Sequence, residues 1–177
     1  MEKRVTIFCA SSTKIDPKYN AAAREVVRAL HALGYGVVSG GGAIGTMGAI
    51  TDESVRVGGH HTAVLPRFMK GLENPAVKDV VWTETMSERK ECMREGTCAA
   101  IALPGGTGTL DELIETYVLK RLNRYPGMVI ALDLDGFYEP FKRLLDHYAQ
   151  TGMMPAKDLE MIHFPRTVEE LSALFKQ

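Results

Sequence analysis

Short apolar runs alternate with longer amphipathic stretches along the whole chain. The runs at residues 5–9, 35–39, 62–65, 80–82, 99–103 and 128–132 read as buried strands, and 161–164 has a similar character. The stretches at 17–33, 46–57, 87–95, 109–122, 137–151 and 168–176 carry the apolar spacing of helices. Strands that are apolar on both sides and alternate with helices predict a parallel sheet covered on both faces. The expected fold is therefore a single Rossmann-like α/β domain over residues 1–177. Pro17 suits a helix start and Gly34 a helix stop. The segment 66–79, rich in Gly, Pro and Asn, is the longest irregular stretch. Such segments in compact domains often carry function.

Composition narrows the function class. A net charge of −1 supplies no basic field for nucleic acid or a membrane surface, so any anion site must be local. Three cysteines, Cys9, Cys92 and Cys98, form no CxxC motif, and their odd number argues against a disulfide framework. A reduced, cytoplasmic setting is expected. The first apolar run ends after about six residues, too short for a signal-peptide core or a membrane span.

Two glycine loops follow strands. The second reads Leu-Pro-Gly-Gly-Thr-Gly-Thr-Leu-Asp-Glu over 103–112, with Gly105, Gly106 and Gly108 in a turn that opens a helix. Glycines let the backbone approach a ligand, and N–H groups at a helix start are available to an anion. The loop has no Gly-Lys-[Ser/Thr] and so does not announce an ATPase. An alternative reading is structural. Thr109 and Glu112 have the spacing of a capping box, in which hydroxyl and carboxylate satisfy the helix start. The first loop, 40–48, satisfies G-x-G-x-x-G at Gly40, Gly42 and Gly45. The acidic residue that a dinucleotide site needs about 20 positions later is missing, and His60, His61 and Thr62 occupy that zone. Tight packing and ligand contact both remain open for this loop.

Arg89 lies on, or at the edge of, the helical face that holds Met86 and Met93. It is either a buried functional group or an Arg whose stem lies on the core while its head reaches water. Ser11 follows the first strand, where open parallel sheets place ligands, and turn or cap service is the other reading. No His/Cys/carboxylate spacing resembles a metal site.

Together these residues resemble the Lonely Guy family of cytokinin riboside 5′-monophosphate phosphoribohydrolases, whose members are often labelled possible lysine decarboxylase. The family pattern P-G-G-x-G-T-x-x-E is met from Pro104 to Glu112, and Arg89-Lys90 matches its upstream Arg-Lys pair. Residues 40–48 match G-G-G-x-x-G-x-M-G, and the segments 8–12 and 135–138 also fit. Ala10 replaces a usual Gly, Thr46 a usual Leu, and 117–123 lacks the usual Trp and Gln. These departures bear on the base more than on the reaction. The resemblance implies a homodimer with Arg89 and Glu112 as catalytic residues. It implies a nucleotide site formed by Ser11, Gly41, Gly42, Lys90, Gly105, Gly106, Thr107, Gly108 and Thr109. The implied reaction splits AMP or an N6-modified, cytokinin-type AMP into free base and ribose 5-phosphate, with no metal or cofactor. Decarboxylation by pyridoxal phosphate would need a Schiff-base lysine with a pyridinium partner, and only Lys90 lies in the implied site. A non-catalytic sensor or carrier of AMP-like nucleotides is the rival expectation, since it needs the same loops without the Arg and the carboxylate.

Overall fold

The computed structural model describes residues 3–176. Among them, six parallel strands form one sheet: β1 (Arg4–Phe8), β2 (Gly36–Ser39), β3 (His61–Pro66), β4 (Asp79–Thr83), β5 (Thr97–Ala102) and β6 (Met128–Ala131). Their spatial order is β4-β3-β2-β1-β5-β6. The alternation of the strands feeds two apolar layers. Val5, Ile7, Ala99, Ile101 and Ile130 face one side, where helices α1 (Pro17–Ala32), α2 (Gly45–Arg56) and α6 (Val168–Ala173) cover them. Phe8, Ala100, Ala102, Val129 and Ala131 face the other, under α3 (Met86–Arg94), α4 (Thr107–Arg121) and α5 (Glu139–Gln150). A sheet buried on both faces explains why its strands read as continuous apolar runs.

The expected strands and helices form, with ends shifted by one to three residues, the largest at α6, which stops at Ala173 rather than 176, except at 161–164. There a short 3-10 turn (Ala156–Met161) runs into an extended segment that makes a single bridge, His163 to Ile130. Ile162 is buried against the core, so the apolar run reflects burial without a ladder. Pro165 follows and has no N–H with which to extend the pairing.

This strand order fixes where a ligand belongs. The chain winds outward from β1 to β4, then crosses back to place β5 on the other side of β1. The sheet therefore splits between the carboxyl ends of β1 and β5, which is where open α/β sheets hold ligands. Residues 9–12 and 103–109 flank that split.

Candidate active site

Helix α4 begins two residues before the expected start. Gly106 is its N-cap residue, with φ −88° and ψ −159°, and no side chain caps it. The capping-box reading is thereby corrected. Thr109 already lies inside the first turn, and Glu112 points elsewhere. The leading N–H groups of such a helix have no intrahelical acceptor. Gly106 and Gly108 are exposed, and a methyl on either would meet no protein atom within 4 Å. Thr107 is exposed beside them. Gly105 is different. A methyl there would overlap the Thr109 hydroxyl and lie 2.7 Å from Thr109 Cβ, so Thr109 is buried beneath the loop and shapes it. Residues 105–109 thus form a backbone surface open to a ligand on one side.

Glu112 and Arg89 meet behind this surface. Thr85 caps α3 by accepting the Glu88 N–H at 3.1 Å, which fixes the helix start and aims Arg89 and Met93 at the sheet. Arg89 Nη1 donates to Glu112 Oε1 at 2.9 Å, and Nε donates to the Val64 carbonyl at 2.9 Å. Nη2 lies where a side chain at Gly40 would begin. The Arg89 and Glu112 side chains are only 7% and 10% exposed, so the outward-reaching reading of Arg89 is also corrected. Burial raises the Glu112 pKa, against the attraction of Arg89, so desolvation outweighs the ion pair. Cys9, which follows β1, is buried nearby, and its thiol is pushed up by burial and by Glu112.

Arg89 also lines a cavity of about 370 Å³ with Ser11, Gly40 and Gly42. Its remaining walls are mostly apolar: Ile44, Met47, Leu65, Met69 and Leu72. Met69 and Leu72 come from the irregular segment 67–78, which folds over the first glycine loop. Ala43 N–H donates to Leu72 O at 3.1 Å, and Asn74 N–H to Gly41 O at 2.8 Å. Gly41 has φ +66°, and any side chain there would overlap the Ala63 methyl, so packing by itself requires a glycine at this position. Ser11 is exposed on the cavity wall, while Asp16 caps α1, which removes cap service from Ser11.

The structure brings Ser11, Gly42 and Arg89 to one cavity and pairs Arg89 with Glu112, while Gly105, Gly106 and Thr107 line a separate pocket with Leu110, Phe137 and Tyr138. Lys90 sits apart from the cavity wall. Its ammonium is held between α3 and α4 by Glu115 and by Asp111 at 3.0 Å, and these bonds raise its pKa. His61 opens β3 and is buried, whereas His60 precedes the strand and is exposed. His61 Nε2 pairs with Ser39 Oγ at 2.8 Å, and burial lowers its pKa to about 4, so the ring is neutral. Ser39 Oγ also accepts the Gly41 N–H at 3.2 Å, and so the pair props the first loop.

Comparison with known proteins bears on this arrangement. A family model described as possible lysine decarboxylase matches residues 47–175. The cytokinin riboside 5′-monophosphate phosphoribohydrolase LOG of Oryza sativa subsp. japonica is 34% identical over 172 residues, covering 96% of this chain and 71% of that protein. The cytokinin riboside 5′-monophosphate phosphoribohydrolase of Mycobacterium marinum is 32% identical over 160 residues, covering 89% of this chain and 85% of that one. This chain belongs to the LOG family. The molybdenum cofactor carrier protein of Chlamydomonas reinhardtii matches with a TM-score of 0.76 at 20% identity, over 100% of this chain and 98% of that one. That likeness shows the fold.

The decarboxylase description of the LOG family does not fit the residues present. A Schiff base needs a neutral amine free to attack, whereas Lys90 is clamped by two carboxylates that hold it protonated. Sequence reasoning missed Gly40 as the seat of Arg89, although it is the first glycine of the G-x-G-x-x-G pattern. It also missed the cavity walls at Ile44, Met47, Leu65, Met69 and Leu72. The only available signal for the last two was the irregular, Gly- and Pro-rich character of their segment.

Proposed function

We propose that this chain hydrolyses the N-glycosidic bond of AMP or an N6-substituted AMP, giving free base and ribose 5-phosphate. The coarse part, a phosphoribohydrolase acting on a nucleotide, follows from membership of the LOG family. The observation that carries the rest is the buried Arg89–Glu112 pair set behind a glycine helix start. Departure of the base leaves positive charge on the ribose. Glu112, poorly solvated and oriented by Arg89, supplies the opposing negative charge in a site where it is weakly screened. The backbone of 105–109 holds the phosphate, and Thr109, expected from the sequence to contact it, instead shapes the loop from beneath. Residues 107 and 112 lie about 8 Å apart along the helix axis, a span suited to a ribose 5-phosphate.

The cavity beside Arg89 takes the base. Its methionine and leucine walls favour a purine with an apolar N6 substituent over one that presents polar edges. Two copies of the chain pair through α4. That helix exposes Leu110 and Val118, Leu122 is exposed at its C-terminal end, and Leu110 shares a pocket wall with the exposed Phe137 and Leu144. Three free thiols fit a cytoplasmic setting.

The test is to mix purified protein with AMP, an N6-substituted AMP and adenosine, and to follow free base and ribose 5-phosphate. Charge-assisted hydrogen bonds contribute about 1.5–3 kcal/mol each, so two or three of them, less desolvation, make adenosine worse by about 10²–10⁴ in kcat/KM. Nucleotide binding without base release would replace the hydrolase with the sensor or carrier. Equal use of adenosine and AMP would remove the phosphate from the 105–109 loop.

A further inference from the structure

The 105–109 loop poses a question of its own geometry. Glycines impose no conformation, so the direction of the N–H groups must be set from outside the loop. Thr109 packs beneath Gly105 and supplies the anchor on the helix side. The strand-side anchor is Tyr138. Leu103 N–H makes the final rung of β5, to Phe8 O at 2.9 Å, and the next residue is Pro104, which has no N–H. The Leu103 carbonyl is buried there and accepts the Tyr138 hydroxyl at 2.8 Å.

Tyr138 is itself held in place. Asp133, fully buried at the end of β6, accepts its N–H at 2.7 Å, and Asp133 N–H donates to Pro165 O at 2.8 Å. The other Asp133 oxygen has no hydrogen-bond partner among the described residues and faces Lys142 Nζ at 3.8 Å. The turn between them carries two successive left-handed residues, Asp135 (φ 53°) and Gly136 (φ 75°), and Lys18 ties Asp135 to α1 at 2.8 Å. Phe137 and Phe141 flank the Tyr138 ring edge-on at 5.1 and 6.4 Å. Burial pushes the phenol above its usual range, so the hydroxyl stays a donor throughout the working pH range.

We propose that Tyr138, oriented by Asp133, is a positioning residue for the 105–109 loop. Its bond to the Leu103 carbonyl fixes the Leu103–Pro104 peptide at the entry to the loop, and with it the aim of the N–H groups at the phosphate. This rests on the reading of that loop as the phosphate site.

Tyr138→Phe tests it by removing one oxygen and keeping the ring. The expected result is that KM for AMP and Ki for inorganic phosphate rise together by about tenfold, the fold-change that loss of one hydrogen bond typically gives. Turnover at saturating AMP falls by much less, and kcat/KM for adenosine stays unchanged because adenosine has no phosphate to aim at. Asp133→Asn, which keeps an oxygen for the Tyr138 N–H, retains a near-native Ki. Tyr125→Phe is the control. Its hydroxyl makes an equally buried bond, to Thr97 Oγ1 at 2.9 Å, but at the opposite end of β5. It lowers Tm as Tyr138→Phe does and leaves Ki and KM alone. If Tyr138→Phe behaves like Tyr125→Phe while the native protein is inhibited by phosphate, the positioning role is refuted and the phosphate site stands. If phosphate does not inhibit the native protein and adenosine equals AMP, the phosphate site is refuted and Tyr138 falls with it.

Discussion

Gly40 and Gly106 permit a sharp test, because the same substitution should fail at the two positions for different reasons. An alanine methyl at Gly40 overlaps Arg89 Nη2 and comes within 2.9 Å of Met47 Sδ. The methionine can swing away, but the guanidinium cannot move without leaving its partners. It is bonded to Val64 O and Glu112 Oε1, both at 2.9 Å, and a shift of about 1 Å takes both bonds beyond hydrogen-bonding range. Two charge-assisted bonds represent about 3–6 kcal/mol at most. Because the displaced head can enter the adjacent cavity and regain water, the expected loss of stability is about 1–3 kcal/mol. In a chain of this size that lowers Tm by roughly 2–12 °C. Misplacing a catalytic group by about 1 Å costs about 10²-fold in kcat/KM. At Gly106 the methyl meets no protein atom, and its φ of −88° suits alanine. Gly106→Ala should therefore melt within a few degrees of the native protein, the small loss being that of alanine at an N-cap. Its KM for AMP should nevertheless rise at least tenfold, since the methyl stands where the phosphate approaches. Base release measured by chromatography and Tm by calorimetry, on both variants, decide the matter. A folded Gly40→Ala protein with native kcat/KM would show that the Arg89 geometry is irrelevant to turnover. A Gly106→Ala protein with native KM would show that the open side of the loop faces no phosphate.

Glu112→Gln keeps an oxygen for Arg89 Nη1 but loses the charge, so kcat should fall about 10²–10⁴-fold with little change in Tm; near-native turnover would end the catalytic assignment. Glu53 is buried between α1 and α2 and is held by Arg56 and by Arg28 at 2.9 Å, and these bonds, opposed by burial, lower its pKa from 4.5 to about 2. A depressed carboxylate stabilises the fold above its unfolded pKa, so this contribution is present above about pH 4.5 and is lost as pH falls toward 2. It amounts to about 1–2 kcal/mol once screening of the exposed arginines is allowed for. Glu53→Gln should flatten the dependence of Tm on pH in that window, and an unchanged slope would refute the assignment. The proposed pairing predicts a native dimer in light scattering at micromolar concentration and a monomer for Val118→Glu, on the outer side of α4, whereas a monomeric native protein would refute the pairing surface.

What the sequence disclosed was what is local in the chain. The glycine loops, the sheet class and the positions of Arg89 and Glu112 are written in short motifs and in strands apolar on both faces. The partnership of Arg89 was not legible, because it is built from three distant pieces: the end of β3 at Val64, the missing side chain at Gly40, and Glu112 on α4. A periodicity argument places Arg89 on an edge and cannot choose between core and water. The Thr109–Glu112 spacing left two readings open for a related reason. S/T-x-x-E describes a capping box only if the helix starts at the threonine. Gly106 starts it earlier, since nothing obstructs its backbone and the split between β1 and β5 leaves the turn open. The 66–79 segment was recognisable as irregular, but its hydrogen bonds to Gly41 and Ala43, which bring Met69 and Leu72 over the cavity, have no sequence signature.

The buried pair also separates stability from function. Burying a carboxylate and a guanidinium together typically gains little, because desolvation consumes most of their attraction. The raised pKa of Glu112 records that balance, with burial ahead of Arg89. An apolar pair of similar volume would serve the core as well. The arrangement is therefore better understood through what it prepares. Arg89 is fixed by Val64 O and seated on Gly40, so it holds the carboxylate in one orientation before substrate arrives. Little reorganisation is left for the moment at which the ribose becomes cationic, and a charge fixed in advance in a weakly screening site is the kind that lowers a barrier. On this argument, replacing both residues by a well-packed apolar pair should preserve or raise Tm while abolishing hydrolysis. Such a protein that melted far below the native one would show that the pair is chiefly a structural tie.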